Sequence, residues 1–159
     1  MNQAYLLIGG NLGEKRRNLE LAATLIGKKV GSIQKTSPFY ATEAWGKTDQ
    51  PAFLNQALLV ETALGPHELL SVLLAIEAEC GRVRKEKYGP RLIDIDIIFY
   101  NEFVLSTPEL TIPHPQMAFR RFVLTPLNDI AGTFVHPVLR KPVSALLAEC
   151  TDKLDAIKV

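Results

Sequence analysis

The order in which two periodicities alternate through the first hundred residues restricts the fold more than any other feature of this chain. "AYLLIGG" near the start is an apolar run ending in glycines, which predicts a buried strand closed by a glycine turn. "EKRRNLELAATLIGKK" then places Leu19, Ala22, Ala23 and Ile26 at i, i+3, i+4 and i+7, one stripe of an amphipathic helix. Lys28 and Lys29 in its last turn suit the negative end of the helix dipole, and Gly31 follows. "SIQKTSPFYAT" predicts a second strand, which Pro38, lacking an amide hydrogen, must put at an edge or interrupt with a bulge. Residues 43–52 read as a loop. "FLNQALLVET" predicts a third strand whose alternation puts Phe53, Asn55, Ala57 and Leu59 on one face. In "GPHELLSVLLAIEAEC" Pro66 sits just inside a helix start, where its missing amide hydrogen costs nothing. Leu69, Val72, Leu73, Ile76 and Cys80 form the buried stripe of that helix, and Gly81 stops it. "LIDIDIIFY" is the fourth strand.

The order β-α-β-β-α-β predicts an α+β fold, a ferredoxin-like sandwich with one antiparallel sheet and both helices on one face. Short C-terminal additions follow: "EFVL" as a brief fifth strand, a proline-rich stretch of helical turns over 106–131, and a final helix near 142–150. At 159 residues the chain reads as one domain over 1–159, able to bury roughly two thirds of its unfolded surface. Cys80 and Cys150 are far apart and form no C-x-x-C pair, so they read as small apolar fillers in a reducing compartment. The N-terminal stretch lacks a basic, then apolar, leader pattern, and no apolar run reaches membrane-spanning length. These readings predict a cytoplasmic monomer with no membrane partner.

Charge is concentrated in one place. Segment 81–91 carries Arg82, Arg84, Lys85, Lys87 and Arg91 against Glu86, a net of +4, whereas the whole chain carries +1 and the remainder therefore −3. That pattern argues against general nucleic-acid binding and for a small, strongly negative ligand. Directly after it come Asp94 and Asp96. Two positions apart in a strand, they share a face with their Cα atoms about 7 Å apart, while Ile93, Ile95 and Ile97 fill the other face. Paired carboxylates are unfavourable unless a cation lies between them, and magnesium favours one or two carboxylates plus water and phosphate oxygens. A bare D-x-D in a strand is more often a solvated sheet face. A neighbouring basic loop shifts the balance toward a magnesium–polyphosphate site.

These residues carry a resemblance. "KYGPRLIDIDII" resembles the motif of the 6-hydroxymethyl-7,8-dihydropterin pyrophosphokinases, a folate-pathway family, with Lys87, Gly89, Pro90, Arg91, Asp94, Ile95, Asp96, Ile97 and Ile98 in place. "IGGNLG", "SPFYATEAWG", "QPAFLNQAL", "IEAECGRVRKEKYGPR" and "IPHPQMAFRRFVLTPL" are similar to further family segments, in the family's order. The resemblance implies transfer of pyrophosphate from ATP to the hydroxymethyl group of the reduced pterin, with release of AMP. It implies two Mg²⁺ ions held by Asp94 and Asp96, and catalytic phosphate contacts from Arg82 and Arg91 on a loop that opens and closes. Further ATP contacts fall on Glu77, Arg84, Lys85, Ile97, Thr111, His114 and Arg120, with Glu77 taken to lie on the polar side of its helix. The pterin would stack between Phe53 and Phe122 and meet Asn55, Thr42 and the backbone around Glu43 to Trp45.

The chain departs from the family pattern at several of these places. Phe53 stands where a tyrosine is familiar, Tyr88 where some members have tryptophan, Trp45 for a smaller aliphatic, Glu43 for a proline, and Glu109 where some members place an arginine. Without the resemblance, His114 would read as a structural histidine and Phe53 and Phe122 as core. Arg121 and the pair Arg16–Arg17 read as solvated, and His67 and His136 have no assigned role. A phosphohydrolase or nucleotidyl transferase could use the same aspartates, releasing phosphate or pyrophosphate without any pterin. A non-catalytic effector- or RNA-binding domain would not need them as carboxylates.

Overall fold

The computed structural model describes residues 1–43, 51–81 and 92–159. The described elements begin with β1 (Asn2–Gly10), α1 (Lys15–Lys29), β2 (Gly31–Thr36), β3 (Tyr40–Thr42) and β4 (Phe53–Thr62). They continue with α2 (Pro66–Glu79), β5 (Asp94–Tyr100), β6 (Leu105–Ser106), β7 (Thr111–Ile112), α3 (Arg121–Ala131), α4 (Val143–Glu149) and β8 (Ile157–Lys158). The main sheet runs β5-β1-β4-β3-β8 with β2 also on β4, and every pairing is antiparallel. Each long helix therefore crosses over one strand: α1 links β1 to β2 across β4, and α2 links β4 to β5 across β1. This is the ferredoxin-like arrangement predicted from the element order.

The two faces of the sheet bury different partners. Ala4, Leu6 and Ile8 of β1 pack with Leu19, Ala22 and Ile26 of α1 and Leu69, Leu73 and Ile76 of α2. The opposite face is also covered: Tyr5, Leu7 and Leu59 pack under Leu124, Leu127 and Leu146 of α3 and α4. The C-terminal additions thus form a third layer, and the aspartate-bearing face is no open, solvated sheet. β5 serves both layers through a bulge. Its register on β1 slips between Tyr5 and Leu6, so Ile98 and Phe99 both turn toward the α3–α4 side while Ile97 and Tyr100 face the other core.

Several local readings are corrected. Gly9 and Gly10 lie within β1 rather than in a turn after it. The second strand splits into β2 and β3, both on β4. The break at Ser37–Phe39 contains Pro38, and Ser37 bridges it by accepting the Ala57 amide on its Oγ at 2.9 Å. The short strand after β5 is Leu105–Ser106, paired with β7, rather than 102–105. The proline-rich stretch contains an eleven-residue helix, α3, with Pro126 inside it. The buried stripe of α1 uses Leu25 with Leu19, Ala22 and Ile26, and Ala23 is only partly buried. In α2, Glu77 joins Leu69, Leu73 and Ile76 among the buried residues, while Val72 and Cys80 are partly buried. Both cysteines are free.

Candidate active site

Three neighbouring strands present one row of side chains each to a shared cleft. In register, Gly9 of β1 stands between Asn55 of β4 and Asp94 of β5, and Leu7 between Ala57 and Asp96. Two strand spacings separate Asn55 from Asp94, about 10 Å. On the next strand Thr42 pairs with Phe53. Arg120 and Phe122, at the start of α3, complete the wall with Glu43. The guanidinium carbon of Arg120 lies 5.7 Å from the centroid of the Phe122 ring, within cation–π reach. The cleft opens to solvent and combines apolar and aromatic walls with a few convergent polar groups, the character of a small-molecule site.

Two polar atoms in this wall are buried without a hydrogen-bond partner among the described residues: Thr42 Oγ1 and Asn55 Nδ2. Such groups cost roughly 1–3 kcal/mol each when left unmet, so a ligand edge that satisfies them gains that much selectivity. Gly9 makes the arrangement possible. A Cβ built there would fall 2.1 Å from Asn55 Oδ1, so only glycine leaves room for the amide to lie over β1.

The structure thus brings eight of the expected site residues together: Thr42, Glu43, Phe53, Asn55, Asp94, Asp96, Arg120 and Phe122. It adds Leu7 and Gly9, which sequence reasoning passed over. Trp45, Arg82, Arg84, Lys85, Tyr88 and Arg91 lie outside the described residues. Ile97 turns its side chain into the α1–α2 core, leaving only its main chain for a nucleotide. Thr111 and His114 line a neighbouring, largely apolar groove with Met117 and Phe119 rather than the cleft itself. Glu109 is exposed.

Glu77 departs from its expected place. It is not on the polar side of α2 but 3 % exposed, with Oε2 accepting the Ile95 amide at 2.7 Å. Ile95 lies between Asp94 and Asp96 on the edge strand, so this carboxylate fixes the backbone that carries both acids. Glu77→Ala is expected to cost about 2–3 kcal/mol of stability in urea unfolding, the scale of a charge-assisted buried hydrogen bond. Glu77→Gln, which keeps an acceptor, is expected to recover part of that loss.

His114 is held neutral. Its Nδ1 accepts the Gln116 amide at 3.1 Å, which leaves the ring proton on Nε2. Burial, then the Arg120 guanidinium, pull its pKa from 6.5 down to about 4, with Asp94 opposing them. The fold favours the neutral ring, so the associated stability is complete above about pH 6.5. It is lost as the pH falls from 6.5 toward 4, where the unfolded chain takes up the proton first. Between pH 7 and pH 5 the metal-free protein is expected to lose on the order of 2 kcal/mol more than its His114→Asn variant in urea titrations. His136 is structural: its Nδ1 accepts the Val138 and Leu139 amides at 3.1 and 3.0 Å. Arg16 lies over the Phe39 ring, 4.4 Å from its centroid.

A family model described as 7,8-dihydro-6-hydroxymethylpterin-pyrophosphokinase matches residues 5–132. The chain belongs to this family. It is 42% identical over 151 residues to the 2-amino-4-hydroxy-6-hydroxymethyldihydropteridine pyrophosphokinase of Synechocystis, covering 93% of this chain and 77% of that protein. It is 41% identical over 133 residues to the folate synthesis bifunctional protein, mitochondrial, of Pisum sativum, covering 84% of this chain and 26% of that one. The chain therefore matches about a quarter of that longer relative's length. Among solved structures, a Plasmodium falciparum HPPK-DHPS matches with a TM-score of 0.77 at 20% identity, over 93% of this chain and 43% of that one. That likeness concerns the fold alone. In this pyrophosphokinase-family chain no described helix is long and apolar enough to cross a membrane.

Proposed function

We propose that this chain transfers pyrophosphate from ATP to the hydroxymethyl group of 6-hydroxymethyl-7,8-dihydropterin, releasing AMP, as a step of folate biosynthesis. One observation carries the reading: a single cleft joins two aromatic rings, Phe53 and Phe122, two buried unmet polar atoms, on Thr42 and Asn55, and the half-buried pair Asp94 and Asp96. A flat heterocycle with a donor–acceptor edge fits the first two. The last suits a ligand that brings cations and phosphate.

Phe53 and Phe122 bind the pterin ring by stacking, worth about 1 kcal/mol beyond burial. Asn55 and Thr42 select its polar edge, because an analogue lacking that edge leaves both atoms unmet. Asp94 and Asp96 fit magnesium: two hard carboxylates on one strand face, with room for water and phosphate oxygens as remaining ligands. When bound, two such ions supply charge neutralisation for the triphosphate and acidity toward the attacking hydroxyl. The pterin hydroxymethyl oxygen forms a bond to the β-phosphorus, the bond from that phosphorus to the α–β bridging oxygen breaks, and AMP leaves with that oxygen. The hydroxyl proton goes to solvent. Arg120, beside Phe122, offsets phosphate charge between the two substrates. His114, in the neighbouring groove but close enough to feel Arg120 and Asp94, is neutral with a proton on Nε2, a donor it could offer to a phosphate at the cleft edge without adding charge. By likeness to the family, Arg82 and Arg91 engage the phosphates, with Arg84 and Lys85 nearby. We place the reaction in the cytoplasm, on a monomer.

The test is to incubate the protein with Mg²⁺ and ATP, with and without the pterin, and to follow nucleotide products by chromatography. The reading expects AMP only when pterin is present, in equal amount to pyrophosphorylated pterin. AMP, ADP or phosphate formed equally without pterin would favour a phosphohydrolase and overturn it.

A further inference from the structure

Two walls of the cleft come from elements that are distant in sequence, and the last ten residues connect them. One wall is β3, which carries Thr42. Its outer edge is paired with β8, Ala41 opposite Ile157 and Tyr40 opposite Lys158, and the Val159 amide donates to the Phe39 carbonyl at 3.0 Å. The other wall is the first turn of α3, where Arg121 stands between the cleft residues Arg120 and Phe122. Arg120 gives this helix no side-chain cap. Asp152 supplies one from the tail: its Oδ2 accepts the Arg121 amide at 2.9 Å, and its Oδ1 accepts the Leu154 amide at 3.0 Å. The Arg121 side chain grips the tail in return, donating from Nε to the Asp152 carbonyl at 3.1 Å and from Nη2 to the Cys150 carbonyl at 2.9 Å. Arg121 is thus no solvated residue.

Within α3 the first turn is held on its inner side by Val123 and Leu124, which are buried in the α3–α4 core, whereas Phe122 is only partly buried against it. The helix is tied to β3 where the Tyr40 hydroxyl donates to Asp129, about two turns further on. Pro126 lies between that tie and Phe122, and it cannot donate the helix bond to the Phe122 carbonyl. Core packing holds the inner side of the first turn, and the tail adds a polar anchor to it at Arg121.

We propose that residues 150–159 act as a strap that sets the gap between the Phe122 ring and the Thr42–Phe53 side of the cleft, with Arg121 and Asp152 as positioning residues for the ring substrate. The proposal rests on the pterin reading of this cleft. Neither residue lines the cleft, so both act through their neighbours.

Steady-state kinetics on Asp152→Ala, Arg121→Ala and Ile157→Pro, each checked by thermal unfolding, provide the test. Ile157→Pro removes an amide from the β8–β3 ladder at the far end of the strap, away from α3. In folded variants the KM for pterin is expected to rise about tenfold while the KM for ATP stays within twofold. Asp152→Asn, which keeps one acceptor oxygen, is expected to fall between Asp152→Ala and the unaltered protein. An unchanged pterin KM in Ile157→Pro and Asp152→Ala, or equal rises for both substrates, would overturn the strap. An unaltered protein that makes no pterin-dependent AMP would sink the functional reading instead, so the two failures are separable.

Discussion

Asp96→Ala is expected to lower pterin-dependent AMP release by at least about a thousandfold, a loss of about 4 kcal/mol of transition-state stabilisation. Asp96 projects from β5 into the cleft, half-buried, opposite Leu7 of the central strand. Removing its carboxylate leaves the β-ladder and both cores intact, so the variant should still fold. Asp96→Asn separates charge from shape. An anion that holds magnesium cannot be replaced by a neutral amide of the same size, so this variant should be almost as impaired. Full activity in either variant would remove the role assigned to the pair.

Gly9→Ala is expected to weaken pterin binding by 10- to 100-fold, roughly the worth of one or two hydrogen bonds, with ATP binding unchanged. The added methyl would meet Asn55 Oδ1 at 2.1 Å and the Leu54 carbonyl oxygen at 3.3 Å. The amide can swing away and the backbone need not move, so the fold survives while the polar edge of the cleft is lost. The variant pair gives a sharper check. With Asn55→Ala already present the methyl has no amide to displace, and the double variant should bind pterin no more weakly than Asn55→Ala alone. Additive losses, measured by titration calorimetry, would mean that Gly9 acts by some route other than Asn55.

Much of this site was legible in the sequence because it depends on strand alternation. The period of two puts Phe53 with Asn55 and Asp94 with Asp96 on one face, and the structure places both pairs in the cleft. The β-α-β-β-α-β order likewise set the topology. What failed did so for physical reasons. Pro126 disguised α3, because a proline inside a helix looks like punctuation; packing of Leu124 and Leu127 against β1 and β4 outweighs the lost bond. By its charge Glu77 reads as a polar-face residue, yet it sits four residues after Leu73 and so shares its buried stripe. The Asp152–Arg121 latch joins residues 31 apart and has no local pattern to betray it. Gly9 looked like a turn because glycine usually marks one. Its use here, to let a side chain lie across a strand, appears only once Asn55 is seen as its neighbour.

The most direct test of the account is a crystal of the protein with a non-hydrolysable ATP analogue, the pterin and Mn²⁺ in place of Mg²⁺, with the metals located by anomalous scattering. The account predicts two manganese peaks at about 2.1 Å from carboxylate oxygens of Asp94 and Asp96, with the triphosphate on their far side and the pterin between Phe53 and Phe122. Metal bound elsewhere, or both carboxylates turned away from the nucleotide, would contradict it.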